Sequence, residues 1–166
     1  MKIGRVVITL IVVGMVSMWG YVVYLAFGPG RASSPDELED PTFATAAEAR
    51  CGEALDRVAE LQPANEAQSA AERAVVLAEA NEQFSAMLDD LDRLVPGGED
   101  GEIVTEWLAD WRIYVDDREA YAVALADDAD ARLFVSAKGG QQVTDYIDQF
   151  AKDNAMPACS TPADAA

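Results

Sequence analysis

The stretch WLADWRIYVDDREAY, residues 107–121, places two tryptophans, two tyrosines and two arginines within fifteen residues. Its large side chains recur every three or four residues, which is the spacing of one face of an α-helix. That face consists of Trp107, Trp111, Tyr114, Arg118, Tyr121 and Leu125. Most acids of the stretch fall on the other sides. The pattern predicts an amphipathic helix over residues 102–126 whose aromatic face packs into a helical core.

Two helices are predicted before this stretch. The first spans residues 43–61 and follows Thr42, a residue type that caps helices. The second lies within residues 65–95 and carries a heptad-like apolar seam, the pattern of a coiled coil. The seam consists of Leu77, Ala80, Phe84, Met87, Leu91 and Leu94. Asn65 begins a capping-box pattern at the start of this helix, and the turn at residues 96–98 ends it.

A fourth, shorter helix is predicted over residues 141–154. Asp100 is the expected cap of the third helix, at residues 102–126. Residues 132–137, RLFVSA, could be extended, but the sequence shows no second strand to pair with them. Four helical segments with short connections favour an antiparallel bundle.

The amino terminus predicts a membrane anchor. Lys2 and Arg5 precede an uncharged run over residues 6–27, which as a helix would be about 33 Å long and could cross a hydrocarbon core. The run exceeds the apolar part of a secretory signal, about 7–15 residues. The positive-inside rule places the amino terminus in the cytoplasm. A cleaved signal peptide is the alternative, and in either case the rest of the chain lies outside the cytoplasm.

The expected fold class is all-α, an N-terminal transmembrane helix followed by an extracytoplasmic antiparallel bundle of about four helices. The expected parts are a cytoplasmic stub (1–5), a transmembrane signal anchor in the lipid bilayer (6–27), a flexible acidic linker (28–41), the extracytoplasmic bundle (42–159) and a disordered tail (160–166). The linker is rich in Gly, Pro, Ser and acids, a composition that does not form a core.

Cys51 and Cys159 are the only cysteines of the chain. Pairing is the default outside the cytoplasm, so a disulfide that closes the bundle is predicted. In an up-down-up-down bundle the start of the first helix and the end of the fourth lie at the same end, which makes the bond geometrically reasonable. Two free, buried thiols are the alternative.

Charge and composition argue against several functions. The formal charge is −18, which repels phosphate backbones, so no nucleic-acid partner is expected. The chain has no histidine and therefore lacks the commonest general base and metal ligand. No hydrolase, nucleotide or di-iron motif is present. We therefore expect no enzyme activity, no catalytic residue, no cofactor and no metal ligand.

Arg118 is the unusual residue of the aromatic face. Its aliphatic stem could lie along the core with the head at the bundle edge, or the head could pair with a carboxylate. The functional alternative is contact with an anion or carboxylate above an aromatic floor. Possible ligand or partner contacts are Trp107, Trp111, Ile113, Tyr114, Arg118 and Tyr121. Acidic loops such as DDADAR, residues 127–132, lack the EF-hand pattern, so a solvated surface is expected there.

Three stretches carry a resemblance: MVSMWGYVVYLAFGPG (15–30), WLADWRIYVDDREAYA (107–122) and FAKDNAMPAC (150–159). Through them the chain resembles single-pass, uncharacterised envelope proteins of actinobacteria. That group has no assigned activity, so the resemblance implies a place in the cell membrane rather than a mechanism.

The functional expectation is a membrane-anchored accessory or scaffolding protein that contacts another membrane or envelope protein through its bundle. The alternative is a sensor or binder of a cation or small ligand, using an acidic loop or the aromatic face around Arg118.

Overall fold

The computed structural model describes residues 2–27 and 34–162, with side chains described for residues 11–24 and 34–162. The chain divides into two units, residues 1–35 and residues 36–166.

The first unit contains helix α1, Lys2–Phe27. Its side chains at residues 11–24 are all exposed. Among the described residues, no helix was found to combine the length and the apolar character that a membrane crossing requires. Residues 28–33 of the predicted linker and residues 163–166 of the predicted tail lie outside the described residues.

Helix α2, Pro41–Ala59, begins the second unit. Its cap is Asp40, whose carboxylate accepts a hydrogen bond from the backbone N–H of Thr42 at 2.9 Å. The prediction of Thr42 as the cap is therefore wrong. Proline is favoured in the first turn, where its missing N–H would have no helical partner, and so Pro41 extends the helix toward Asp40.

Helix α3, Ala70–Asp92, begins later than the pattern indicated. Ser69 caps it by accepting from the backbone N–H of Glu72 at 3.1 Å, and the Glu72 carboxylate accepts from the N–H of Gln68. Asn65 lies instead in a separate 3₁₀ turn, Ala64–Glu66. At the other end, Leu94 follows the helix and is 38% exposed, so it is not part of the seam.

Helix α4, Glu99–Asp127, runs antiparallel to α3. Three cross-helix contacts set this direction, Arg112 with Asp92, Arg118 with Asn81 and Tyr121 with Arg73. Asp100 does not cap α4. Its two carboxylate oxygens accept from the backbone N–H groups of Glu39 and Asp40 and join the start of the domain to α4.

The segment after α4 does find a strand partner, contrary to the prediction. Strand β1, Ala137–Lys138, pairs antiparallel with β2, Gln141–Gln142. Gly139 and Gly140 form the turn with φ of 58° and 89°, a conformation that glycine adopts without a steric cost. Within RLFVSA only Ala137 lies in a strand, where it pairs with Gln142, and residues 132–136 are not in a strand.

Helix α5, Val143–Asp153, brings the end of the domain to its start. The Asn154 side chain accepts from the N–H of Leu38 at 2.9 Å and donates to the carbonyl of Asp36. Residues 36–41 of the predicted flexible linker are therefore bound to the domain or helical. Thr161 likewise donates to Asp148 from its N–H and its hydroxyl, so the predicted tail is bound to α5 at that residue.

The predicted disulfide and helical bundle are confirmed. Cys51 of α2 is bonded to Cys159 and both residues are fully buried. One hydrophobic cluster joins α2, α3, α4 and α5 around the bond, and a smaller cluster lies between α3 and the far part of α4. The domain is an all-helical bundle with one small hairpin in the part that the structure describes.

Candidate functional site

The aromatic face of α4 lies inside the bundle. Trp107, Trp111, Tyr114 and Tyr121 are all at least 96% buried. These four side chains therefore form core, as their spacing predicted, rather than an accessible binding surface. Ile113 lies on another side of α4 and is 38% exposed.

The two tryptophans hold different helices together. The Trp107 ring stacks on Phe150 of α5 at 4.9 Å between ring centroids and meets the edge of Phe43 of α2. Trp111 lies 6.0 Å from Phe84 of α3, and its indole N–H is buried without a hydrogen-bond partner among the described residues. Such aromatic pairs add about 0.5–1.5 kcal/mol each beyond their buried area.

Arg118 is buried among these rings, with 4% of its surface exposed. Its Nε donates to Oδ1 of Asn81 at 2.8 Å, and its Nη1 approaches the Tyr114 hydroxyl at 3.5 Å, the limit of a hydrogen bond. The guanidinium also lies over the Phe84 ring at 5.3 Å and the Tyr114 ring at 5.7 Å. Asn81 is 1% exposed and has a second buried polar atom, Nδ2, with no partner among the described residues.

No carboxylate of residues 34–162 forms an ion pair with Arg118. A guanidinium has five N–H donors, and the protein supplies acceptors for two of them, on Asn81 and Tyr114. The charge of the Asp148 carboxylate affects the pKa of Tyr114, but this carboxylate accepts hydrogen bonds from Thr161 and not from Arg118. A buried charge without a counter-ion is costly, and the two ring contacts offset only part of that cost. Arg118 therefore has neither of the two arrangements considered from the sequence, an ion pair with a carboxylate of the described residues or a guanidinium exposed at the bundle edge.

Arg118 also forms part of the wall of a cleft of about 520 Å³. The cleft is bounded by the end of α2, the connection to α3, α3 itself and Pro162. Most of its lining residues have apolar side chains, such as Leu55, Val58, Leu77 and Phe84, but close to half of its exposed surface is polar. The side-chain amides of Gln62 and Asn65 are neutral, and Arg118 is the one charged residue among the described residues that line the cleft. The cleft therefore combines apolar side chains, neutral polar groups and one cation.

Tyr114 lies beside this cation. Burial raises the pKa of its hydroxyl above the ordinary value, while the charge and hydrogen bond of Arg118 act in the opposite direction and the charge of Asp148 adds to the rise. The phenol is therefore neutral at physiological pH and can accept from Arg118 or donate to another acceptor.

A second charged cluster lies where the hairpin meets α4. Lys138 Nζ donates to both oxygens of Asp110 at 2.9 Å and to Glu106 at 2.8 Å, and it lies 5.3 Å from the Tyr146 ring centre. The Asp110 side chain is only 7% exposed, so Lys138 neutralises a nearly buried carboxylate. This cluster is satisfied within the protein, unlike Arg118.

The pKa values of this cluster move in opposite directions. The hydrogen bond and the charge of Lys138 lower the pKa of Glu106. Burial by itself would lower the pKa of Lys138, but hydrogen bonds to Glu106 and Asp110, together with their charges, raise it overall. Both shifts in pKa arise because the ion pairs stabilise the charged forms of Glu106 and Lys138.

Sequence reasoning missed two polar partners. Asn81 interrupts an apolar stripe formed with Leu77, Phe84 and Leu88, and a polar residue in such a stripe signals a buried hydrogen bond. No pattern in the sequence indicated that Lys138 pairs with Asp110, because their distance in space depends on the hairpin that turns at Gly139 and Gly140. Among the described residues, no group of three or more acids or cysteines is placed to hold a metal ion.

Comparison of the chain with protein-family models, with curated proteins and with solved structures finds no match.

Proposed function

We propose that the chain is a membrane-anchored, non-catalytic protein whose helical domain lies outside the cytoplasm and binds a small organic anion. The observation that carries the binding proposal is Arg118, a buried cation without a carboxylate partner among the described residues, in the wall of a cleft lined mainly by residues with apolar side chains. Ligand sites are typically clefts of about 300–1,000 Å³ with mostly apolar walls and few polar groups. The cleft at Arg118 fits that description.

The anchor proposal is supported by the sequence of α1. Residues 6–27 contain no charged side chain and follow Lys2 and Arg5. Trp19, Tyr21 and Tyr24 lie toward the far end of the run, as interfacial aromatic residues do. The Cys51–Cys159 disulfide supports a location outside the cytoplasm, because such bonds persist in oxidising compartments.

The anchor is tested by fractionation of cells that express the full chain. We expect the protein in the membrane fraction, resistant to alkaline carbonate, with the helical domain open to protease added outside the membrane. Release by carbonate, or protection of the domain from the protease, would contradict the proposal. A variant with three charged residues in the run, Val12→Lys, Val16→Lys and Val23→Lys, is the control that should leave the membrane.

A non-catalytic role is supported by the chemistry of the cleft. An arginine side chain stays protonated in proteins and so cannot act as a general base. The other described lining residues carry no ionisable group. The cleft is therefore suited to hold an anion rather than to exchange protons with it.

The binding proposal is tested with protein purified from its native membranes. Small molecules released by denaturation are identified by mass spectrometry. An organic anion that accompanies the wild-type chain and is absent from an Arg118→Met variant supports the proposal. Wild-type and variant preparations with the same small molecules would contradict it.

An accessory or scaffolding role is the second candidate, with a membrane or envelope protein as partner. It is supported by three exposed apolar side chains on or after α4, Ile113 at 38%, Val123 at 70% and Phe134 at 80% exposed. Affinity purification from gently solubilised membranes tests it. A stoichiometric partner that is lost with Ile113→Asp or Phe134→Asp, and retained with Arg118→Met, would favour this role over ligand binding.

A further inference from the structure

We infer that the Arg118 cleft is a site for a monocarboxylate with an apolar body, in which the guanidinium binds the carboxylate and the cleft wall covers the body. This inference rests on the proposed binding function and names the class of its ligand.

The geometry of Arg118 favours a planar, two-oxygen acceptor. Asn81 holds Nε and Tyr114 holds one hydrogen of Nη1, which leaves three N–H donors without a described acceptor, two of them on Nη2. A guanidinium edge matches the two oxygens of a carboxylate in a bidentate arrangement. Asn81 and the Phe84 and Tyr114 rings fix the plane of the guanidinium before a ligand arrives. Asn81 is therefore a positioning residue, and Arg118 is the contact residue.

The charge around the cleft favours one negative charge on the ligand. Arg118 is the one cation among the described lining residues, and the chain as a whole carries a formal charge of −18. A phosphate monoester, with close to two negative charges, would bring a charge that the cleft does not neutralise. A monocarboxylate brings one charge, which Arg118 balances.

The wall of the cleft favours an apolar body. Five aliphatic residues line the cleft, Leu55, Val58, Leu61, Val76 and Leu77. Phe84 also lines it, and its ring lies 5.3 Å from the Arg118 guanidinium. Each buried CH₂ group of a ligand contributes about 0.8 kcal/mol to binding by leaving water. A ligand with a short aliphatic or aromatic body therefore gains affinity that acetate lacks.

The test is calorimetric titration of the oxidised full-length protein in a nonionic detergent with hexanoate. Hexanamide, acetate and hexyl phosphate are titrated in parallel. We expect one saturable site for hexanoate, with hexanamide and acetate each weaker by at least about tenfold, since each lacks one of the two interactions. Hexyl phosphate is expected to bind more weakly than hexanoate.

Two variants show whether any binding occurs in this cleft. Arg118→Met removes the charge and keeps an unbranched stem. Ala80→Leu adds a larger side chain to the wall and so narrows the cleft without changing Arg118. Both are expected to weaken hexanoate at least about tenfold. The matched control is Arg73→Met, because Arg73 also contacts a tyrosine, Tyr121, between α3 and α4 but does not line the cleft. Circular dichroism of each variant reports whether the helices are retained.

The outcomes separate the two proposals. If the protein binds hexyl phosphate but not hexanoate, and Arg118→Met abolishes that binding, the carboxylate class is overturned while the anion-binding function stands. Acetate bound as tightly as hexanoate would overturn the apolar body. No binding of any of the three anions by folded wild-type protein would overturn the anion-binding function itself. Hexanoate binding that survives both cleft variants would place the site elsewhere and overturn the inference.

Discussion

Arg118 and Asn81 form a buried hydrogen bond of 2.8 Å between α4 and α3, and neither side chain has a carboxylate partner among the described residues. The bond joins a charge to a neutral amide, and both side chains are at least 96% buried. Hydrogen bonds to charged groups contribute about 1.5–3 kcal/mol to stability, and removal of one partner leaves the other buried and unsatisfied.

The first prediction is a non-additive effect of these two residues. Asn81→Leu alone is expected to lower the free energy of unfolding by about 2–4 kcal/mol, because it leaves the guanidinium with one weak acceptor. The double variant Asn81→Leu, Arg118→Met is expected to be more stable than Asn81→Leu alone, because the charge is removed as well. Urea unfolding followed by near-UV circular dichroism measures both. Additive losses would show that the two side chains act independently.

The second prediction concerns the disulfide, which joins residues 108 positions apart. A chain-entropy estimate assigns about 4–5 kcal/mol to a loop of this length. Reduction of the bond is therefore expected to lower the melting temperature of the domain markedly. The double variant Cys51→Ala, Cys159→Ala is the control, since its melting temperature should be low with or without reductant. An equal melting temperature for the oxidised and reduced wild-type protein would argue against a stabilising bond.

The third prediction follows from the lowered pKa of Glu106. A carboxyl group whose pKa is lower in the folded state stabilises the fold above its unfolded pKa, near 4.5, and loses that contribution as the pH falls through the folded value. Glu106→Gln is therefore expected to destabilise the domain slightly at pH 7, by less than about 1 kcal/mol because the side chain is exposed. The difference from wild type should vanish in strong acid.

The control for this effect is Glu119→Gln, on an exposed side of α4 away from the helix ends and without an ion pair among the described residues. Melting curves between pH 3 and pH 7 should show a larger pH-dependent difference from wild type for Glu106→Gln than for Glu119→Gln. Lys138→Met is expected to cost more, about 1–3 kcal/mol at pH 7, because it leaves Asp110 nearly buried and unpaired. The raised pKa of Lys138 means that its contribution is present at neutral pH and is lost only in strong alkali.

The sequence predicted the parts of the fold that depend on periodic burial. The seam from Leu77 to Leu91 and the face from Trp107 to Leu125 are buried as their spacing indicated. The helix starts were less predictable, because Asp40, Thr42, Asn65 and Ser69 are all suitable caps and only the folded backbone selects among them.

The candidate site was predictable only in part. The position of Arg118 on an aromatic face offered an anion contact as the alternative to a stem along the core or a carboxylate pair, and the structure places Arg118 in the wall of a cleft. Four of the other candidate residues are core, because a wide apolar face on a bundle helix must be covered by its neighbours, namely Trp107, Trp111, Tyr114 and Tyr121. The fifth, Ile113, lies off that face and is 38% exposed. The absence of an ion pair to Arg118 among the described residues could not be inferred from a chain with thirty acids, since the pairing depends on tertiary contacts.

The fourth prediction compares two glycines within helices. A Cβ atom on Gly101, in the first turn of α4, would lie 2.1 Å from the carbonyl oxygen of Pro96, whereas a Cβ on Gly52 in α2 would meet nothing within 4 Å. Alanine is the better helix former by about 1 kcal/mol, so Gly52→Ala is expected to stabilise the domain by up to that amount. Gly101→Ala should instead cost about 1–3 kcal/mol, because backbone must move to relieve the overlap. Urea unfolding of the two variants checks the opposite signs. Stabilisation by both substitutions would mean that the turn before α4 yields easily and does not fix where the helix starts.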